Sequence, residues 1–90
     1  MRFEWDAAKA ASNLRKHGVS FDEASTVFAD DLSATARNPD HSHGELRMLT
    51  FGMSSSGRVL VVSHADHGEA VRIISARPAT RYERKVYEEA

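Results

Sequence analysis

The chain has ninety residues, no cysteine, and 12 Lys or Arg against 13 Asp or Glu, for a formal charge of −1. That length predicts one small domain. The composition excludes disulfides and thiolate-metal sites, and the charge excludes a broadly basic coat for nucleic acid. No apolar run approaches the roughly 20 residues that span a bilayer, and no N-terminal signal peptide is visible, so a reducing cytoplasm is the expected location. The charge is uneven: residues 1–40 carry five cations against seven anions, residues 41–90 seven against six, and all but one of the latter cations are arginine. A local arginine site fits this distribution.

Phe3-Glu4-Trp5 alternates apolar and acidic residues and predicts a short edge strand. Asp6 caps a helix in which Ala7, Ala11 and Leu14 form the expected apolar stripe, with Lys9, Asn13 and Lys16 on a polar one. Gly18 ends it in a left-handed conformation. Ser20 and Glu23 form a capping box for a second helix, whose buried side is Phe21, Ala24, Val27 and Phe28. Trp5, Phe21 and Phe28 are expected in the core. After Asp30-Asp31 the chain is extended. Ser33 to Asn38 predicts a weak strand, Pro39 to Gly44 a polar turn region, and Leu46 to Gly52 and Val59 to His64 stronger strands joined at Ser54-Ser55-Ser56-Gly57. Asp66-His67-Gly68 reads as a turn before a strand from Val71 to Ala76. Pro78 ends that strand, and Thr80 with Glu83 caps a helix from Arg81 to Glu89, anchored by Tyr82 and Val86. The order β-α-α-β-β-β-β-α predicts an α+β fold, an antiparallel sheet with helices on one face.

Arg72 and Arg77 bracket the last strand. A guanidinium on a rigid element suits a phosphodiester. Five residues apart, the two point to opposite faces of a regular strand and share a site only if the strand twists or bulges near Ser75. Ion pairing with Glu4, Asp6 or Glu83 is the competing reading. His64, ending its strand, is either a proton-transfer group or a polar terminus without a task. Glu45 and Arg47 share a face, as an active patch or a plain exposed one. Lys16 and His17 end the first helix, where positive charge also suits the helix dipole. His41-x-His43 with Glu45, His64 and His67 is too loosely spaced for a metal site, and a solvated turn is the reading adopted. The chain has no Gly-rich phosphate loop, nucleophile elbow or carboxylate cluster for magnesium.

Phe3-Glu4-Trp5-Asp6, Lys16-His17-Gly18-Val19-Ser20-Phe21, Asp40-His41 with Glu45-Leu46-Arg47, Gly57 to Val62, Arg72 to Arg77, and Ala79-Thr80 with Glu83-Arg84 together resemble the BrnT toxin family along nearly the whole chain. One departure is Asp66-His67-Gly68, where the family more often has Glu-Arg-Gly. The resemblance implies a RelE-like fold and a metal-independent endoribonuclease that inhibits translation, with no cofactor. It also implies a type II toxin neutralised by a BrnA-like ribbon-helix-helix antitoxin, the two forming a heterotetramer through an antitoxin dimer that represses its own operon on operator DNA. On that reading Arg72 and Arg77 bind the phosphate, Glu45 acts as base, Arg47 assists, and Lys16, His17 and Arg81 contact RNA; His64 is the alternative base, on chemistry and position alone. The alternative is a catalytically weak binding module acting mainly in the antitoxin–DNA complex.

Overall fold

The computed structural model describes residues 1–38 and 46–89. His41, His43 and Glu45 lie outside the described residues. Local signals set the helical hairpin. The Asp6 carboxylate accepts from the amides of Ala8 (2.7 Å) and Lys9 (3.3 Å) and opens α1, Ala7–His17. Gly18 closes it at φ 68°, where a side chain would be strained. Ser20 accepts from the Glu23 amide at 3.0 Å and starts α2, Phe21–Thr26, followed by a 3-10 turn at Val27–Ala29. Ahead of the hairpin is β1, Arg2–Glu4; after it come β2, Ala34–Arg37, β3, Met48–Met53, β4, Val59–His67, β5, Ala70–Pro78, and α3, Arg81–Glu89. In α3 the capping box is reciprocal: the Glu83 amide donates to Thr80 Oγ1 at 3.1 Å and the Thr80 amide to Glu83 Oε1 at 2.8 Å.

The element order follows the sequence, but the architecture departs from it in two respects. The sheet is mixed, in order β1-β5-β4-β3-β2, because β1 pairs parallel with β5 while the other pairs are antiparallel. Helices also cover both faces. Phe21, Ala24 and Val27 pack with Leu60, Val62, Ile73 and Ala76 on one face, joined at its margin by Phe3, Trp5 and Phe28. On the other, Tyr87 of α3 packs with Val59, Val61 and Ala79 beside Leu49 and Phe51. Alternation along β4 supplies both clusters, since odd and even positions point to opposite sides.

Two helical faces were also read wrongly from the sequence. Leu14 is 51% exposed, and α1 instead buries Asn13 at 6% exposure. Beyond Arg72, β5 has no β1 partner. Asn13 takes that place: its amide donates to Ala76 O (2.8 Å) and Val19 O (3.0 Å), and its carbonyl accepts from Ala76 N (3.0 Å). An alanine stripe has little area to bury, so these hydrogen bonds set the helix rotation. In α3, Tyr82 is 75% exposed. Its anchors are Tyr87, which donates to Asp30, and Glu83, which binds Arg77. Tyr82 and Val86, with Leu32, Ala34, Phe51, Glu83 and Tyr87, instead line an open apolar groove of about 390 Å³.

The Glu23 carboxylate ties the hairpin to the β3–β4 turn. It accepts from Arg58 Nε at 3.0 Å and Ser54 Oγ at 2.7 Å, while Arg58 Nη2 also donates to Gly18 O at 2.9 Å. Those donors, Arg58 foremost, hold its carboxyl at about 2. A depressed carboxyl stabilises the fold fully above its unfolded value of 4.5, and the contribution is lost as pH falls toward 2. Urea midpoints measured from pH 6 to pH 2.5 should therefore fall less steeply in Glu23→Gln than in the parent. Asn13→Ala strands the Ala76 amide and two carbonyls, and should cost about 3 kcal/mol in urea unfolding.

Candidate active site on the open sheet face

One irregularity decides which side chains share a face. Ser63 pairs with Ser75 but the next β4 residue, His64, pairs with Ile73, so Ile74 is an extra residue in β5. Ile73 and Ala76, three apart, consequently lie in the same buried cluster. Their neighbours Arg72 and Arg77 therefore both point to the opposite face, the one that carries α3. The bulge needed to bring the two arginines onto one side is present. They do not meet over one anion, however: five residues of strand separate them by roughly 16 Å, and Arg77 is held elsewhere. Its Nη1 and Nη2 donate to the two Glu83 carboxylate oxygens at 2.7 and 3.0 Å. Arg77 chiefly holds the Glu83 carboxyl at about 2.

At the other end of that face the register builds a polar row. Arg72 pairs with Ala65 of β4 on one side and with Glu4 of β1 on the other. Arg47 lies just ahead of β3, one residue before Met48, which pairs with His64, and a continued register would set it beside Ala65. Two strand spacings, roughly 10 Å, would then separate the Arg47 and Arg72 backbones. Both arginines are half-buried and engage neighbouring groups.

His64 belongs to the opposite, helical face. The strand does not end there but runs three residues further, to His67. His64 is 6% exposed and packs edge-on to Phe28 with ring centroids 4.8 Å apart. Its Nε2 shares a 2.7 Å hydrogen bond with Thr50 Oγ1, which in turn meets Thr35 Oγ1 at 2.7 Å, and its Nδ1 has no partner among the described residues. Burial holds its pKa below the usual 6.5, against a smaller opposing pull from Asp66.

Lys16 and His17 come together at the end of α1. With Lys9, Ser12 and Asn13 they face Ile74 and Ser75 across a shallow groove of about 190 Å³ along the β5 edge. Arg81 is exposed at the start of α3. A pair that sequence reasoning did not single out lies beside Arg72: His67 Nδ1 is hydrogen-bonded to Glu4 Oε2, with side chains 62% and 36% exposed. The outward direction of Glu4 was readable from Phe3 and Trp5, but its strand partner was not. Among the described residues no group of three metal-ligating side chains forms.

The fold and this face define a small α+β protein whose sheet carries a helical hairpin on one side and an arginine row on the other. Residues 5–83 match the family model described as the ribonuclease toxin BrnT of the type II toxin–antitoxin system. The chain belongs to this family of ribonuclease toxins, and an antitoxin is its implied partner. The solved 1.1 Å structure of the Brucella abortus ribonuclease toxin BrnT is similar in fold, with a TM-score of 0.66 and 24% identity over 90% of this chain and 99% of that one. No curated protein matches the chain.

Because His64 resists protonation only when folded, the unfolded chain takes up that proton first as pH falls below about 6.5, and stability drops with it. The fall in urea midpoint between pH 7.5 and 5.5 should be smaller in His64→Gln than in the parent.

Proposed function

We propose that the chain is a metal-independent endoribonuclease that inhibits translation, with Arg72 and Arg47 binding the scissile phosphate on the open sheet face. The observation that carries this reading is Arg72 of β5, paired with Ala65 of β4, with Arg47 leading into β3 on the far side of β4. Cleavage within RNA needs removal of the 2′-hydroxyl proton, stabilisation of charge on the phosphoryl oxygens, and protonation of the leaving 5′-oxygen. Arginines on either side of β4 supply the second requirement. They lose little freedom on binding and match the oxygens of a phosphodiester.

Lys16 and His17, with Lys9, suit the flanking RNA backbone, since their groove follows the β5 edge away from Arg72. Arg81 extends the cationic surface at the start of α3. Arg77 is assigned a supporting part, holding α3 through Glu83 at the far end of the same face. His64, sealed under Phe28 on the helical side, is assigned to the core and not to proton transfer. Glu45, two residues before Arg47, remains a candidate base by its place in the sequence.

The implied antitoxin is read as a ribbon-helix-helix protein that covers the arginine face or the β2 edge of the described sheet. It would bring two toxin chains together on operator DNA and repress its own operon. All four β2 residues are exposed, and a bare strand edge accepts an added strand.

Expression without antitoxin should arrest growth, and the purified chain should cleave RNA in EDTA. Arg72→Ala and Arg47→Ala should each lower kcat by about 10²–10³-fold, the scale of losing one transition-state donor, with melting temperature little changed. Operator binding together with antitoxin, without RNA cleavage, would instead favour the binding-module reading.

A further inference from the structure

We propose that Glu4 and His67 form a carboxylate–imidazole dyad in which His67 Nε2 takes the proton from the ribose 2′-hydroxyl while Arg72 holds the adjacent phosphate. The inference rests on the ribonuclease reading above and assigns a general base particular to this chain, since His67 stands where the family more often has arginine. Four observations support it.

The first is the direction of the imidazole. Nδ1 is engaged by Glu4 Oε2, so the tautomer with Nδ1–H donating leaves the Nε2 lone pair as the acceptor. The carboxylate both orients the ring and stabilises the imidazolium that forms, the arrangement that a base held by a third group requires.

The second is how the pair is built. Phe3 and Trp5 face the helical core, so Glu4 between them faces the open side. β1 pairs with β5 and β5 with β4, which puts Ala70 between Arg2 and His67 and Arg72 beside Glu4. Glu4 and His67 therefore reach toward each other across the middle strand, over a position occupied by alanine. Ala70, between Arg2 and His67, is 2% exposed.

The third is the company the pair keeps. Arg72 is the register partner of Glu4 and emerges on the same face, so base, orienting carboxylate and phosphate-binding cation occupy adjacent positions. Among the described residues the register puts Arg2 and Glu4 of β1 and Arg72 of β5 on the face of His67, while Asp66 points to the opposite face and Glu69 sits in the hairpin turn. The fourth is access: His67 is mostly open to solvent and can meet a polymeric substrate, whereas His64 is sealed in the core.

In the step itself the 2′-oxygen forms a bond to phosphorus as the bond from phosphorus to the 5′-oxygen breaks. The 2′-hydroxyl proton passes to Nε2, the departing 5′-oxygen takes a proton from water, and the imidazolium returns its proton to the hydroxide left behind. The products are a 2′,3′-cyclic phosphate and a 5′-hydroxyl end.

The test uses the full chain with a short single-stranded RNA in EDTA, following kcat, KM, product ends and melting temperature. His67→Ala should lower kcat by about 10²–10⁴-fold, the usual range for a positioned acid or base, with KM and melting temperature unchanged, and added imidazole should restore part of the rate. His67→Gln, which keeps a polar partner for Glu4, should be as slow and should lose the histidine limb of the kcat/KM pH profile. Glu4→Gln should give a smaller loss. A His67→Ala variant that cleaves at the parent rate with the parent pH profile overturns the dyad and leaves the ribonuclease reading standing. A loss that imidazole does not restore, with the profile unchanged in shape, makes His67 structural and also overturns the dyad. An intact chain that cleaves no RNA, with Arg72→Ala equally inert, overturns both.

Discussion

One extra residue in β5 governs how this molecule is organised. Ile74 has no counterpart in β4, and the half-period shift it introduces lets Ile73 and Ala76 face the same core. Without it, one end of β5 would turn its apolar residues to solvent and its arginine into the helical layer. Burying an unpaired guanidinium costs far more than the few kcal/mol gained by burying an isoleucine. The bulge is thus the feature through which a strand with arginines five apart can serve a core on one side and a cationic surface on the other.

The edge of the same strand shows how a short sheet deals with unpaired backbone. β1 covers only Ala70 to Arg72, and beyond it the side chain of Asn13 acts in place of a strand, accepting from and donating to Ala76. The bond to Val19 O extends that link to the loop between the helices. Glu23 with Arg58 makes a second link, from α2 to the β3–β4 turn, and Arg58 continues it to Gly18. Gly52 lets the 3-10 turn lie directly on β3, since a Cβ there would stand 2.8 Å from Val27 Cγ1. These polar and steric ties hold the hairpin over one face, while α3 and the arginines share the other.

The two histidines of β4 show how placement divides similar side chains between different tasks. His64 and His67 are three residues apart on one strand and so point to opposite faces. The first is enclosed by Phe28 and bonded to Thr50; the second stands in solvent beside a carboxylate. An imidazole removed from water resists the charge that proton transfer demands, which sets His64 apart from that role. Arg77 and Arg72 divide in a comparable way, one committed to Glu83 and the helix it caps, the other in register with Glu4 and Ala65.

Much of the fold was legible in the sequence because its signals are local. Asp6, Gly18, Ser20 and the Thr80–Glu83 pair act within one helical turn of themselves, and the apolar runs at Val59 and Val71 need only alternation to declare strands. Phe21 in the core follows from the same short-range periodicity. Family membership was legible as well, since motifs are spellings. The site was legible only in its ingredients: Arg72, Arg77 and Arg47 could be named, but not which of them would stand together. That depended on the parallel pairing of β1 with β5 and on the bulge at Ile74, which join residues some sixty positions apart. Strand partners are chosen by the packing of the whole sheet, not by any residue's own preference. For that reason Glu4 and His67, unremarkable apart, acquire a joint meaning only in the folded chain.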